Sequence, residues 1–268
     1  MGRIRTGWAL AKRSLRVVLS DGSLTALALL GALAAGFVAL ALGIPAVVLE
    51  EDDQRALAIV LGVAGVYLAT AAAVFFGVAL AAAASEALAG RDARVGPSIA
   101  VAMKRLPQVL GWALVLTTVN LILSALRERG GLGAIASGIL GAGWSLATFL
   151  AVPLIALEGL GPVAALKRSY ALFKERWGEQ LAGRAGVGAV FFLLGVLPAA
   201  ILIAIGVGLA NTPGIVVVVI GVLIAAVALL LGQAAGSVLA VALYRFTTGS
   251  PDTGPFTQAE LEGAVRTK

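Results

Sequence analysis

The chain reads as an all-α integral membrane protein: a polytopic helical bundle of about six transmembrane helices, with amphipathic helices along one interface. Three observations lead there. Hydrophobic residues fill 60% of the 268 positions and charged residues only 13%, against roughly 45–50% and 25% in soluble domains; the mean hydropathy is +1.02. Uncharged apolar runs recur, each matching the ~20 residues a helix needs to cross about 30 Å of hydrocarbon. In that layer a helix satisfies its own backbone groups. Finally, seventeen of the twenty Lys and Arg residues fall on one side of the resulting topology.

Residues 2–20 predict an interfacial helix. Ile4, Trp8, Ala11, Leu15 and Val18 recur at helical spacing, and Arg5, Lys12 and Arg16 share another face. Such a helix lies in the membrane plane with Trp8 at head-group depth. Ser20-Asp21-Gly22-Ser23 breaks and caps it. The first span, 24–49, is longer than the h-region of a signal peptide and reads as a retained signal anchor. Glu50 to Arg55 make a tight acidic turn. The second span, 56–88, exceeds what a bilayer requires and must tilt or project.

Residues 91–108 are basic and carry Gly96-Pro97 and Pro107. The third span is 108–126, Arg127 to Gly131 the next turn, and 132–157 the fourth span. Residues 158–184 predict a second clear interfacial helix. Pro162 suits its first turn, where no N–H is needed. Val163, Leu166, Tyr170, Phe173 and Trp177 are its apolar stripe. Spans five and six are 185–210 and 215–244, joined by a turn at 211–214. Residues 245–268 form a polar tail, and 1–268 reads as one membrane domain.

The cationic side holds Arg3, Arg5, Lys12, Arg13 and Arg16; Arg91, Arg94, Lys104 and Arg105; Lys167, Arg168, Lys174, Arg176 and Arg184; and Arg245, Arg266 and Lys268. The opposite side holds Arg55, Arg127 and Arg129. By the positive-inside rule both termini are cytoplasmic, in a multi-pass protein of the cell membrane. Lys12-Arg13, Lys104-Arg105 and Lys167-Arg168 each precede a helical pair, and Gly96-Pro97 and Gly161-Pro162 precede the second and third. The pattern fits a threefold repeat of interfacial helix plus hairpin, or basic segments that merely look alike on entering a hairpin. Gly254-Pro255 echoes the start of a fourth unit.

With no Cys and no His, disulfides, thiolate chemistry, the usual zinc sites and imidazole acid–base chemistry are excluded. No cofactor and no metal site is expected, and no enzyme activity: mid-membrane carboxylate pairs and a phosphate loop are both missing. The net charge of +6 is better explained by topology and anionic lipid than by nucleic acid.

Candidate lipid- or partner-binding residues are Lys12, Arg13, Arg16, Lys104, Arg105, Lys167, Arg168 and Lys174. Glu86 and Glu158 close the second and fourth spans, where the helix dipole disfavours a carboxylate, so each calls for a cationic partner or for water. Arg91, Arg94, Lys104, Arg105, Lys167 and Arg168 are the candidate partners. Among the intramembrane polar residues (Thr117 and Ser124 included), Asn120 and Gln233 are the candidate interhelical hydrogen bonders. Gly232 and Gly236 form a GxxxG, and Pro153 and Pro198 should kink their helices.

The basic start with Trp8 and Lys12-Arg13-Ser14, and the run from Pro153 through GLGPVAALKRSYALFKERWGE, resemble a bacterial and archaeal family of multi-span proteins known only as a domain of unknown function. The second element is also similar to the membrane domain of some glycerophosphodiester phosphodiesterases. The resemblance implies a helical membrane bundle without an assigned activity; the catalytic domain of those enzymes is absent. The sequence therefore predicts a non-catalytic scaffold or accessory protein with a basic cytoplasmic face. Its partners would be anionic lipids and a second copy or a membrane protein, but not nucleic acid. The alternative is a transporter or channel for a small or lipidic solute.

Overall fold

A computed structural model describes residues 2–51, 54–177, 192–209, 212–249 and 254–257. They are helical throughout, without a strand among them. In order the elements are α1 (Gly2–Ser20), α2 (Gly22–Glu51), α3 (Arg55–Leu88), α4 (Val95–Lys104), α5 (Leu106–Glu128), α6 (Gly131–Thr148), α7 (Ala151–Leu157), α8 (Pro162–Trp177), a π-helical turn (Phe192–Val196), α9 (Leu197–Leu209) and α10 (Thr212–Thr247).

Six segments among the described residues are long and apolar enough to cross a membrane: Gly22–Leu49, Arg55–Leu88, Leu106–Glu128, Gly131–Leu157, Phe192–Leu209 and Pro213–Thr247. They agree with the hydropathy reading to within a few residues. The expected start of span five near 185, Asp52, Asp53 and Asn211 in the turns, and the cations Arg184, Arg266 and Lys268 lie outside the described residues. So do the side chains of Arg3, Arg5 and Arg176.

The chain forms two compact units. One comprises Met1–Ala28, Ala84–Ala93 and Arg176–Lys268, the other Leu29–Ala83 and Arg94–Glu175.

In the first unit α1 packs along α10. Asp21 ends α1 and caps α2: its carboxylate accepts from the backbone N–H of Ser23 at 2.8 Å, satisfying a donor that the helix cannot. The Ser23 hydroxyl donates to the Ala93 carbonyl at 2.8 Å, and Thr25 donates to Val18 at 2.9 Å. α9 and α10 form a close hairpin through glycine. A Cβ on Gly221 would meet Ile203 and the Ala199 carbonyl at 2.8 and 3.0 Å. Pro198 falls in the first turn of α9, directly after the π-helical turn. The wider turn accommodates the ring where an α-helix would clash with the carbonyl four residues back.

In the second unit α5 buries Val109, Trp112, Ala113 and Thr117 along one stripe. It pairs with α6: Ser137 donates to the Leu123 carbonyl at 3.0 Å, and Trp112 stacks on Trp144 with centroids 6.2 Å apart. The fourth span is broken between α6 and α7. Pro153 displaces the carbonyl of Phe149, and the helix stops at Leu150 (φ −95°, ψ 0°). The Leu150 N–H is instead taken by the hydroxyl of Ser169 on α8, at 3.2 Å.

Burial along the longest helices is uneven. α3 exposes Leu57, Ile59, Val60 and Val63 near its start, yet every residue from Val78 to Ala84 is buried. α10 repeats this, with Val216, Val219 and Leu223 exposed and almost all of Ala234–Leu243 buried. Alanine-rich segments thus lie where helices crowd, and Val, Ile and Leu where the surface is exposed.

Ser14 and Ser169 are both fully buried, but the Ser14 hydroxyl has no partner. Removing an acceptor from a buried N–H costs about 1–3 kcal/mol, whereas removing an unpaired hydroxyl costs nothing comparable. Ser169→Ala should therefore destabilise the protein by about that amount, and Ser14→Ala should be neutral or stabilising. Unfolding in mixed micelles distinguishes the two.

Candidate functional site: the basic interfacial helices

α1 buries Leu10, Ala11, Ser14, Val17 and Val18, the spacing of one helix face. The opposite face presents Trp8 (48% exposed), Lys12, Arg16 and Leu19. α8 buries Ala165, Ser169 and Leu172 and presents Val163, Lys167, Tyr170 (55% exposed) and Lys174, with Arg168 beside them.

The packing divides both expected apolar stripes. On α1, Ala11 and Val18 are buried, but Trp8 faces outward and Leu15 is half-buried. On α8, Val163 and Tyr170 face outward and Leu166 is half-buried; the side chains of Ile4, Phe173 and Trp177 lie outside the described residues. The physical reason is close approach between helices, which selects Ala and Ser for the packed side. Large apolar side chains are left for the side that meets lipid.

The two helices use the same register. The residue two before the Lys-Arg pair is buried in each (Leu10, Ala165), as are the serine directly after it and the residue four after it (Val17, Leu172). The segment around Lys104-Arg105 keeps two of the three, burying Ala102 two before Lys104 and Val109 four after Arg105, with the half-buried Leu106 where the others have serine. α4 stops at Lys104: Pro107 has no N–H to donate to the carbonyl of Met103 four residues back, Arg105 leaves the helical conformation (φ −102°, ψ 13°), and the chain restarts as α5 with Pro107 in its first turn. The even-numbered spans leave by similar exits: Gly90, Gly159 and Gly249 have φ of 72°, 70° and 76°. A Gly-Pro pair follows each exit, at 96–97, 161–162 and 254–255.

The cations divide by environment. Lys12, Arg16, Lys104, Lys167, Arg168 and Lys174 are exposed. Arg13 donates to the Pro255 carbonyl, next to Phe256, which is 3% exposed. Gly254 lies against Leu88. The tail segment thus clips onto α1 and onto the end of α3, a contact that no apolar period in the sequence signals. The half-buried Arg105 lays its guanidinium over Gly159, where a Cβ would collide with it.

Glu86 accepts two hydrogen bonds from Arg91, at 2.5 Å from Nε and 3.0 Å from Nη2. Arg245 donates to the Ser85 hydroxyl at 3.1 Å. Glu158 is exposed at the end of α7. Asn120 and Gln233 are also exposed.

Two open grooves, both apolar, lie in the second unit. One runs along α2 past Ala39, Gly43 and Val47; the other lies where Ala46 faces Ala58 and Gly62. Among the described residues no cluster of carboxylates is arranged to hold a metal ion.

A sequence profile of a family of unknown function, DUF6159, matches residues 57–254. The match runs from α3 through α10 and leaves α1 and α2 outside. No curated protein and no solved structure matches the chain. The resemblance to the membrane domain of glycerophosphodiester phosphodiesterases draws no support from these comparisons.

The Glu86–Arg91 pair is exposed on both sides, so Glu86→Gln should change stability by less than about 1 kcal/mol. Phe256→Ala removes a buried aromatic and should cost more, about 3 kcal/mol if the clip is packed as a core. Thermal unfolding in detergent, with limited proteolysis at the tail, ranks the two.

Proposed function

Since the chain belongs to the DUF6159 family, whose function is unknown, we propose its role from its surfaces. It acts as a non-catalytic membrane scaffold or accessory protein whose basic interfacial helices gather anionic lipid head groups on the cytoplasmic side.

One observation carries this reading. α1 and α8 turn their small residues inward in the same register and present outward a stripe that alternates cations with apolar or aromatic groups: Trp8, Lys12, Arg16 and Leu19; Val163, Lys167, Tyr170 and Lys174. An aromatic ring at head-group depth beside a lysine suits an anionic interface. Each such cation contributes on the order of 1 kcal/mol of attraction to an anionic leaflet. The charge asymmetry along the sequence supports a cytoplasmic setting for both stripes.

A second reading, a transporter for a small or lipidic solute, is favoured by the interruptions of spans four and five, at Leu150–Pro153 and Phe192–Val196. Interrupted spans of this kind line binding sites in transporter folds. Solute flux into proteoliposomes tests it directly.

For the preferred reading, Lys12, Arg16, Lys167 and Lys174 are changed together to Gln. The number of phosphatidylglycerol molecules retained by native mass spectrometry should fall sharply, with helix content and melting unchanged. Undiminished retention in a folded variant sinks the proposal.

A further inference from the structure

A polar stripe on α5 takes no part in the proposed role of the basic helices. A helix advances about 100° per residue, so Thr117, Asn120, Ser124 and Arg127 fall within an arc of about 80°. The same arc buries Val109 and Ala113 nearer to Lys104. Helices of the same unit bound it. α6 holds one side, through Ser137 on the Leu123 carbonyl and Trp144 on Trp112. α3 holds the other, where the Tyr67 hydroxyl reaches the Leu110 carbonyl at 3.4 Å.

Beyond Thr117 the arc opens: Asn120, Ser124 and Arg127 are exposed. Thr117, at the base, is 4% exposed, and its hydroxyl has no hydrogen-bond partner. Among the described residues Asn120, Ser124 and Arg127 have none either. This is a polar row with a cation at its outer end and neutral donors below it, spanning about 15 Å along the helix from Arg127 to Thr117.

We propose that this row binds one glycerophospholipid of the leaflet at the Arg127 end. The phosphate lies on the Arg127 guanidinium, and the ester carbonyls accept from Ser124 and Asn120. Thr117 ends the row, with an acyl chain along the apolar flank at Leu121. The complementarity supports a lipid over a second copy of the chain. Phosphate and ester oxygens are acceptors facing a row of donors, whereas a second α5 across a twofold axis brings Arg127 toward Arg127.

The site is independent of the basic interfacial helices, so the two readings fail separately. The full chain is reconstituted into phosphatidylcholine nanodiscs doped with phosphatidylglycerol and released for native mass spectrometry. In parallel, a phosphatidylglycerol carrying an acyl-chain diazirine is crosslinked and the adducts are mapped. Adducts are expected on α5 around Thr117–Ser124. Arg127→Gln should lower retention of the most tightly held lipid roughly tenfold or more, as expected for a lost charge-assisted hydrogen bond. Asn120→Leu and Thr117→Val keep the side-chain size and should lower it less. The Lys167→Gln/Lys174→Gln variant should leave these adducts in place. Adducts absent from α5, or retention unchanged in both Arg127→Gln and Asn120→Leu, overturns the proposal. So does a dimer that Asn120→Leu dissociates while lipid retention stays the same.

Discussion

The N–H of Leu150 has nowhere to go within its own helix, and much of the second unit follows from that. Inside hydrocarbon every backbone donor must be satisfied by protein. Pro153 breaks the fourth span, and Ser169 answers from α8. That bond ties an interfacial helix to a membrane span at one rotation about its axis. With Ser169 turned inward, helical geometry turns Lys167, Tyr170 and Lys174 outward. The outward face of α8 is thus a consequence of a backbone defect one helix away.

α1 reaches the same register without the defect. Ser14 is as buried as Ser169, but no broken span meets it, and its hydroxyl is unpaired. What the two helices share is therefore the small side chain, which lets the backbones approach; the hydrogen bond is particular to α8. This also separates the three Lys-Arg segments. α1 and α8 continue past the pair, whereas α4 ends at it because Pro107 follows. α1 and α8 share a register, and the exits at Gly90, Gly159 and Gly249 share a positive φ, but the three segments differ as helices.

The spans were legible because hydrocarbon imposes a length and a composition that few other environments demand. Orientation of the amphipathic helices was not. A stripe of Ile, Trp, Leu and Val in a soluble protein points to the core. At a membrane interface the lipid is an equally good home for Trp8 and Tyr170, and close helix contact selects Ala11, Ser14, Ala165 and Ser169 instead. Hydrophobicity alone cannot tell these two apolar neighbours apart; residue size can. The Arg13–Pro255 contact was illegible for a different reason: its acceptor is a backbone carbonyl, which every residue offers.

The same distinction bears on Asn120. An amide in a span pairs with another helix more often than it lines a pathway, and hydropathy cannot say which neighbour it has. Its position on the wheel can. Asn120 shares the arc that buries Ala113 below it, so it points toward the unit's own interior side and not to the far face of α5. Yet it is exposed. A carboxamide left unpaired in hydrocarbon costs on the order of several kcal/mol. A bundle of this kind would not hold that cost along a row that also includes Thr117, Ser124 and Arg127. The row makes physical sense when its partner is mobile and rich in acceptors, and a phospholipid is the one such molecule that every membrane supplies.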